Sequence, residues 1–227
     1  MNTAVLEAAS SPTLRARGVA ALIVGFARVL TGLRALWREM PAVDDTAPTV
    51  YFANHASHAD FVLLWASLPP AQRACTRPVA GADYWQGSAL RRFIGGEVFR
   101  AVMIDRQGSQ AGPQAVIDQM AAVLRAGESL IMFPEGTRNM GDELMLPLKS
   151  GLFHLARACP QVRLVPVWID NLQRVLPKGR LVPVPLACTV NFGLPLVLGE
   201  GEDKAQFLTR AREAMLALRP DAALGDA

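Results

Sequence analysis

The chain predicts an α/β layer fold, a mostly parallel or mixed central sheet flanked by helices, with an N-terminal amphipathic membrane-associating helical segment. Three observations carry this. Apolar runs such as "SLIMF" at 129–133 and "RLVPVWI" at 163–169 have the length of buried strands. Between such runs, 112–126 spaces Val116, Ile117, Met120, Val123 and Leu124 at helical intervals. The two kinds of segment alternate along the chain, the pattern of strands and helices stacked in layers.

The first element is the apolar stretch 18–37. Val19, Leu22, Ile23, Phe26, Leu30, Leu33 and Trp37 share one face of a helical wheel, with Arg17 and Arg28 opposite. Arg34 and Arg38 lie on a flank. The charge-free part, 18–27, is too short to span a bilayer, which takes roughly 20 residues. It reads as an interfacial helix, its apolar face in a leaflet and its arginines at anionic headgroups. A helix packed on the domain's own core is the bland alternative. Arg28 and Arg34, and the lack of a small-residue cleavage site, argue against a signal peptide. "PAVDDTAP" at 41–48 closes the segment with a loop. The expected division is 1–45 for the N-terminal segment and 46–227 for the main domain.

A short strand is expected at 49–52, then a helix at 58–67 stopped by Pro69 and Pro70. A short strand at 78–80 and a helix at 84–93 follow. A strand at 97–104 precedes helix 112–126, which Gly127 ends before strand 129–133. Helix 151–158, strands 163–169 and 185–192, and a last amphipathic helix at 203–218 complete the series.

The bulk numbers agree with one globular unit. At 227 residues, 51% apolar and 19% charged, the chain can bury a sizeable core and is not disordered. The formal charge is +3, a mild pull toward anionic partners. Arginine supplies nearly all of it, lysine occurring only as Lys149, Lys178 and Lys204. A guanidinium fork suits phosphate, although an Ala- and Arg-rich composition explains the same excess. Cys75, Cys159 and Cys188 are odd in number and widely spaced, show no disulfide framework or zinc spacing, and suit a reducing compartment. No G-x-S-x-G elbow, P-loop or dinucleotide fingerprint occurs.

Chemistry concentrates in "NHASHAD", Asn54 to Asp60. His55 and Asp60 would not face each other on a regular helix. They can meet if His55 sits in the turn before the helix and Asp60 in its first turn. Ser57 and Asp60 also resemble a capping box that would start the helix near Ser57, a purely structural reading. A metal reading would use His55, His58 and Asp60, at no standard spacing. "FPEGTRN" at 133–139 follows a buried strand, where open α/β sheets bind ligands. There Arg138 can hold a phosphate, Gly136 can let the backbone approach a ligand, and Glu135 with Arg138 can equally form a surface salt bridge. Arg106 in "IDR" and Lys149 in "LKSG" are further phosphate candidates, the latter near a helix start.

The combination is more specific than its parts. "NHASHAD" resembles the N-H-x-S-x-x-D motif of glycerolipid acyltransferases, and "IDR" at 104–106, "FPEGTR" and "VPV" at 165–167 resemble the next three motifs in order. The chain is therefore similar, over roughly 49–193, to the 1-acyl-sn-glycerol-3-phosphate acyltransferase family. It departs from the pattern where Asn139 stands for a usual serine, Val102-Met103-Ile104 for a run containing phenylalanine, and Leu148 for a frequent phenylalanine.

The resemblance implies acyl transfer from acyl-CoA or acyl-ACP to a lysophospholipid hydroxyl, without a cofactor, metal or nucleic acid, at the cytoplasmic face of the cell membrane. It implies His55 as general base with Asp60 as its partner, and substrate contacts from Arg106, Glu135, Gly136, Thr137, Arg138 and Lys149. Backbone N–H groups around Gly136 would serve the oxyanion, and Asn54 and Ser57 would position the base. An amino-lipid acceptor, a non-catalytic lipid-binding protein and a metal-dependent hydrolase stay open as alternatives.

Overall fold

The computed structural model describes residues 12–42, 45–104, 112–170 and 187–220. Its centre is a seven-stranded sheet: β1 (Arg34–Trp37), β2 (Thr49–Ala53), β3 (Thr76–Gly81), β4 (Val102–Ile104), β5 (Ser129–Met132), β6 (Arg163–Asp170) and β7 (Thr189–Phe192). The strands lie in the order β1-β7-β6-β2-β5-β3-β4. All neighbours are parallel except β6 and β7. The helices are α1 (Leu14–Thr31), α2 (Asp60–Ser67), α3 (Pro70–Ala74), α4 (Ala82–Gln86), α5 (Ala89–Phe93), α6 (Gly112–Arg125), α7 (Gly151–Ala158) and α8 (Lys204–Leu216). The α/β layer fold expected from the sequence is borne out.

Strand alternation builds two cores. Val50 and Phe52 of β2, Leu130 and Met132 of β5, and Leu164 and Trp168 of β6 point to one face. Tyr51, Ala53, Ile131, Val165, Val167 and Ile169 point to the other. The first core is closed by α6, α7 and α8 through Met120, Leu152 and Phe207. The second is closed by α1 and α2, with Trp85 and Phe99. Because both faces are covered, the central strands read as continuous apolar runs rather than alternating ones.

Several expectations are corrected. The N-terminal helix does not run to Trp37. Gly32, at φ 53°, takes the left-handed cap and bonds back to the Arg28 carbonyl. Residues Arg34–Trp37 then add β1 to the free edge of β7, and Trp37 stacks on Phe192 at 3.6 Å. Leu22 and Phe26 of the expected apolar face stay off the domain, and the helix packs through another stripe. Its small residues Ala16, Ala27 and Thr31, with Val24, are buried, whereas Leu22 and Phe26 are 73% and 67% exposed. The stretch 84–93 is two short helices parted at Gly87, the second capped by the Ser88 hydroxyl. Only Val102–Ile104 of the expected strand 97–104 is extended. Before it, Ile94–Val98 forms a π-helical turn in which Gly95 packs against Trp85, and an added Cβ would lie 2.6 Å from the indole. The strand expected at 185–192 starts at Thr189, and its residues before 187 lie outside the described ones.

Candidate active site

Strand β2 is buried throughout and ends at Ala53, where the chain turns over the carboxyl edge of the sheet. Asn54 makes that turn. Its Oδ1 accepts from the Ile169 N–H at 2.8 Å and its Nδ2 donates to the Ile169 carbonyl at 3.0 Å, tying the chain to β6. His55 comes next, its backbone held on both sides. The His55 N–H donates to Glu135 Oε1 at 2.6 Å, and its carbonyl accepts from the Asn139 N–H at 2.6 Å. The imidazole stacks on Phe133 with centroids 4.2 Å apart.

The five-residue gap between His55 and Asp60 is closed by the turn before the helix. His55 Nδ1 lies 2.9 Å from Asp60 Oδ2. Asp60 is 1% exposed, and the same oxygen accepts from the Ala56 N–H at 2.7 Å and the Ser57 N–H at 2.8 Å. An oxygen already receiving two N–H groups receives the third bond too. That puts the ring hydrogen on Nδ1 and leaves the lone pair on Nε2. Only half of the expected capping box forms: the Asp60 carboxylate takes the Ser57 N–H, but the helix starts at Asp60, and among the described residues the Ser57 hydroxyl accepts from the Ala59 N–H, at 3.3 Å, and not from Asp60. The reason is that the Asp60 carboxylate reaches back to the loop, so the turn at 56–59 stays outside the helix.

Glu135 differs from its expected role as a substrate ligand. It is 1% exposed, and both carboxylate oxygens are taken, Oε1 by His55 and Oε2 by the Leu146 N–H at 2.8 Å. Burial pushes its carboxyl above the ordinary value while the two N–H bonds act the other way. Glu135 thus braces the His55 loop against the segment at 146. Gly136, at φ 74°, occupies a conformation that favours glycine. Its own N–H is bonded to the Phe133 carbonyl at 3.0 Å, so it is not an oxyanion donor. The Thr137 and Arg138 N–H groups take no partner among the described residues.

His55, Gly136, Thr137 and Arg138 line a cavity of about 860 Å³ at the carboxyl ends of β3, β4 and β5. Its polar side carries His55, His58, Thr137, Arg138, Lys149 and His154. Its apolar side carries Trp85, Ile104, Val116, Ile117, Met120 and Leu152. Burial first, and then the Arg138 charge, hold the His58 imidazole below its ordinary range. Lys149 is drawn in by its N–H bond to the Pro134 carbonyl at 2.8 Å. Arg106 lies outside the described residues. Among the described residues, no group of three or more His, Cys, Asp or Glu side chains could hold a metal ion.

Sequence reasoning missed three contributors. Asn139, noted only as a departure, is 7% exposed and organises the loop after it. Its Nδ2 donates to the Glu143 carbonyl at 2.5 Å, and its Oδ1 accepts from the Gly141 N–H at 3.1 Å. Phe133, treated as the end of a strand, is the platform under His55. The apolar wall from α6 was visible as a helix, but nothing in its spacing pointed it at a cavity.

A buried carboxylate thus holds a half-buried imidazole over a cleft that is part cationic and part apolar. Similarity to known proteins names the family. Residues 37–170 match the family model described as Acyltransferase, and the chain belongs to that family. It is 31% identical over 203 residues to mouse 1-acyl-sn-glycerol-3-phosphate acyltransferase alpha, covering 87% of this chain and 67% of that protein. The 1-acyl-sn-glycerol-3-phosphate acyltransferase of Limnanthes alba is 29% identical over 153 residues, covering 65% of this chain and 50% of the relative. The chain thus spans between half and two thirds of those proteins. The crystal structure of the 1-acyl-sn-glycerophosphate (LPA) acyltransferase PlsC from Thermotoga maritima shares the fold. Its TM-score is 0.66 at 18% identity, over 93% of this chain and 82% of that one.

Proposed function

We propose that this protein is a membrane-associated acyltransferase that carries a fatty acyl chain from acyl-CoA or acyl-ACP to the free hydroxyl of 1-acyl-glycerol-3-phosphate, giving phosphatidic acid. The single observation that carries the reading is the His55–Asp60 pair, which leaves the Nε2 lone pair available to accept a proton. The acceptor hydroxyl gives its proton to Nε2 as its oxygen attacks the thioester carbonyl. The C–S bond then breaks, and the imidazolium returns the proton to the leaving thiolate. Asp60 keeps the tautomer and steadies the imidazolium, a contribution of roughly 10²–10⁴ in rate. The Thr137 and Arg138 N–H groups are the candidate oxyanion donors.

Arg138 and Lys149, with Arg106, would hold the acceptor phosphate. The apolar wall from α6 would take the acyl chain. The exposed Leu22, Phe26 and Val29 of α1 would enter one leaflet at the cytoplasmic face. Among the described residues, no helix is long and apolar enough to cross a membrane.

The test is thiol release from acyl-CoA and acyl-ACP by the purified chain, with product masses read across lyso acceptors. Phosphatidic acid as the main product is expected, and Arg138→Ala should raise KM only for phosphorylated acceptors. Acylation of an amino-lipid alone would reassign the acceptor. No thiol release with any acceptor would overturn the enzymatic reading.

A further inference from the structure

A second cavity, about 270 Å³, lies between α1, α2, α3 and the turn before β4. It sits at the end of the sheet opposite His55. Thr76, which opens β3, lines it, whereas Ala80 and Gly81, which close β3, line the active-site cavity. A ligand here is therefore not the reacting substrate. Three guanidinium groups, Arg17, Arg73 and Arg100, border the cavity, and no carboxylate lines it.

The three arginines are unequally committed. Arg100 is ion-paired with Glu128. Arg73 gives one N–H to the Leu68 carbonyl at 3.0 Å and lies 5.5 Å over the Trp65 ring. Arg17 is exposed and has no side-chain partner among the described residues. The first turn of α1 carries no acidic residue, and the Thr13 hydroxyl caps it by accepting from the Ala16 N–H at 3.2 Å. Burial, and then the Arg28 charge, hold the Arg73 guanidinium below its ordinary value, a cationic excess that an anion would relieve.

A second observation is independent of charge. Trp65 is 5% exposed and lines the cavity, and its Nε1 is buried with no hydrogen-bond partner among the described residues. A buried donor without an acceptor is uncommon and costly. The remaining lining is apolar, with Ala20, Ala21 and Val24 on the α1 side. On the wheel of α1 the exposed Leu14 falls beside Ala21, at the edge of that stripe, whereas Leu22 lies on the other face.

We infer that this cavity binds the phosphate of an anionic lipid headgroup, taken by Arg17, Arg73 and the Trp65 indole N–H, with the lipid chains along α1. A guanidinium fork and an N–H donor match phosphate oxygens, and the neighbouring apolar stripe favours a lipid over a free ion. The site would fix the far end of α1 at an anionic surface while leaving the catalytic cavity open. The inference does not depend on which acceptor the active site acylates.

The test uses the full chain with ¹⁵N-labelled tryptophan, the Trp65 indole resonance being assigned through Trp65→Phe. Three titrants are compared: phosphatidylcholine bicelles, the same bicelles containing phosphatidylglycerol, and inorganic phosphate. A saturable shift of the Trp65 resonance only with phosphatidylglycerol bicelles is expected, with inorganic phosphate acting weakly at much higher concentration. Arg17→Gln, at an exposed position, should weaken that binding several-fold, and adding Arg73→Gln should bring the loss to about tenfold or more. Acyl transfer to a micellar acceptor should be unchanged by Arg17→Gln. Tight saturation by inorganic phosphate, unimproved by lipid, would overturn the lipid assignment in favour of a soluble anion. An unmoved Trp65 resonance, or equal shifts with both bicelles, would overturn the site.

Discussion

His55 is held by more contacts than a surface histidine needs: one backbone bond on each side, a stacked ring and a buried carboxylate. Such fixing suits a base that must meet a hydroxyl in one geometry. His55→Ala should therefore lower kcat by roughly 10²–10⁴ while leaving the melting temperature close to that of the parent. A variant with near-normal turnover would remove His55 from the chemistry. Glu135 makes a different prediction. In Glu135→Gln one of the two N–H donors would face an amide NH₂ instead of an oxygen, at a cost of about 1–3 kcal/mol. We expect lower stability and lower kcat, with KM for the acceptor nearly constant. A raised KM at unchanged stability would restore Glu135 to substrate binding. At this scale the sequence was legible for the meeting of His55 and Asp60, because their spacing allows contact only across a turn. It was illegible for Glu135, because a carboxylate in a motif reads as a ligand until the bonds that bury it are seen.

The element least legible in the sequence is α1. A wheel ranks residues by hydrophobicity and so picks out the Leu22 and Phe26 face, leaving the packed stripe unseen. Close approach to α2 instead selects the small stripe of Ala16, Ala27 and Thr31, and Arg28 ties the pair by donating to the Ala66 carbonyl at 3.2 Å. The β1 strand was hidden for a related reason. Residues 34–37 carry no alternating pattern, and only the free edge of β7 draws them into the sheet. By contrast α6, α7 and the central strands were readable, since their apolar spacing matches the faces they bury. Substitutions on the two sides of α1 should then differ in kind. Leu22→Gln with Phe26→Gln should change unfolding free energy by less than about 0.5 kcal/mol each yet weaken binding to phospholipid vesicles. Ala27→Leu, on the packed side, should cost about 1–3 kcal/mol through overpacking. If the glutamine pair proved the more destabilising, the seating of α1 would be wrong.

Across the whole molecule the two ends of the sheet are built differently. At the carboxyl end, polar groups such as Asn54, Asp60 and Glu135 are spent on shaping one loop. At the opposite end, ion pairs join strand starts. Glu128 bridges Arg77 and Arg100, and Asp45 takes a fork from Arg163 at 2.6 Å and 3.0 Å, tying the loop before β2 to the start of β6. The Arg163 bonds, followed by the Ala47 N–H, hold the Asp45 carboxyl below its ordinary value of 3.8, with burial acting in the opposite sense. A carboxyl whose folded value is depressed stabilises the fold above its unfolded value and loses that contribution as pH falls through the folded one. The stability difference between the parent and Arg163→Met should therefore be flat from about pH 7 to about pH 5 and shrink below the ordinary Asp45 value. Chemical denaturation at a series of pH values measures it directly. A difference that stays constant down to about pH 3 would mean that Arg163 acts through packing of its stem rather than through its charge on Asp45.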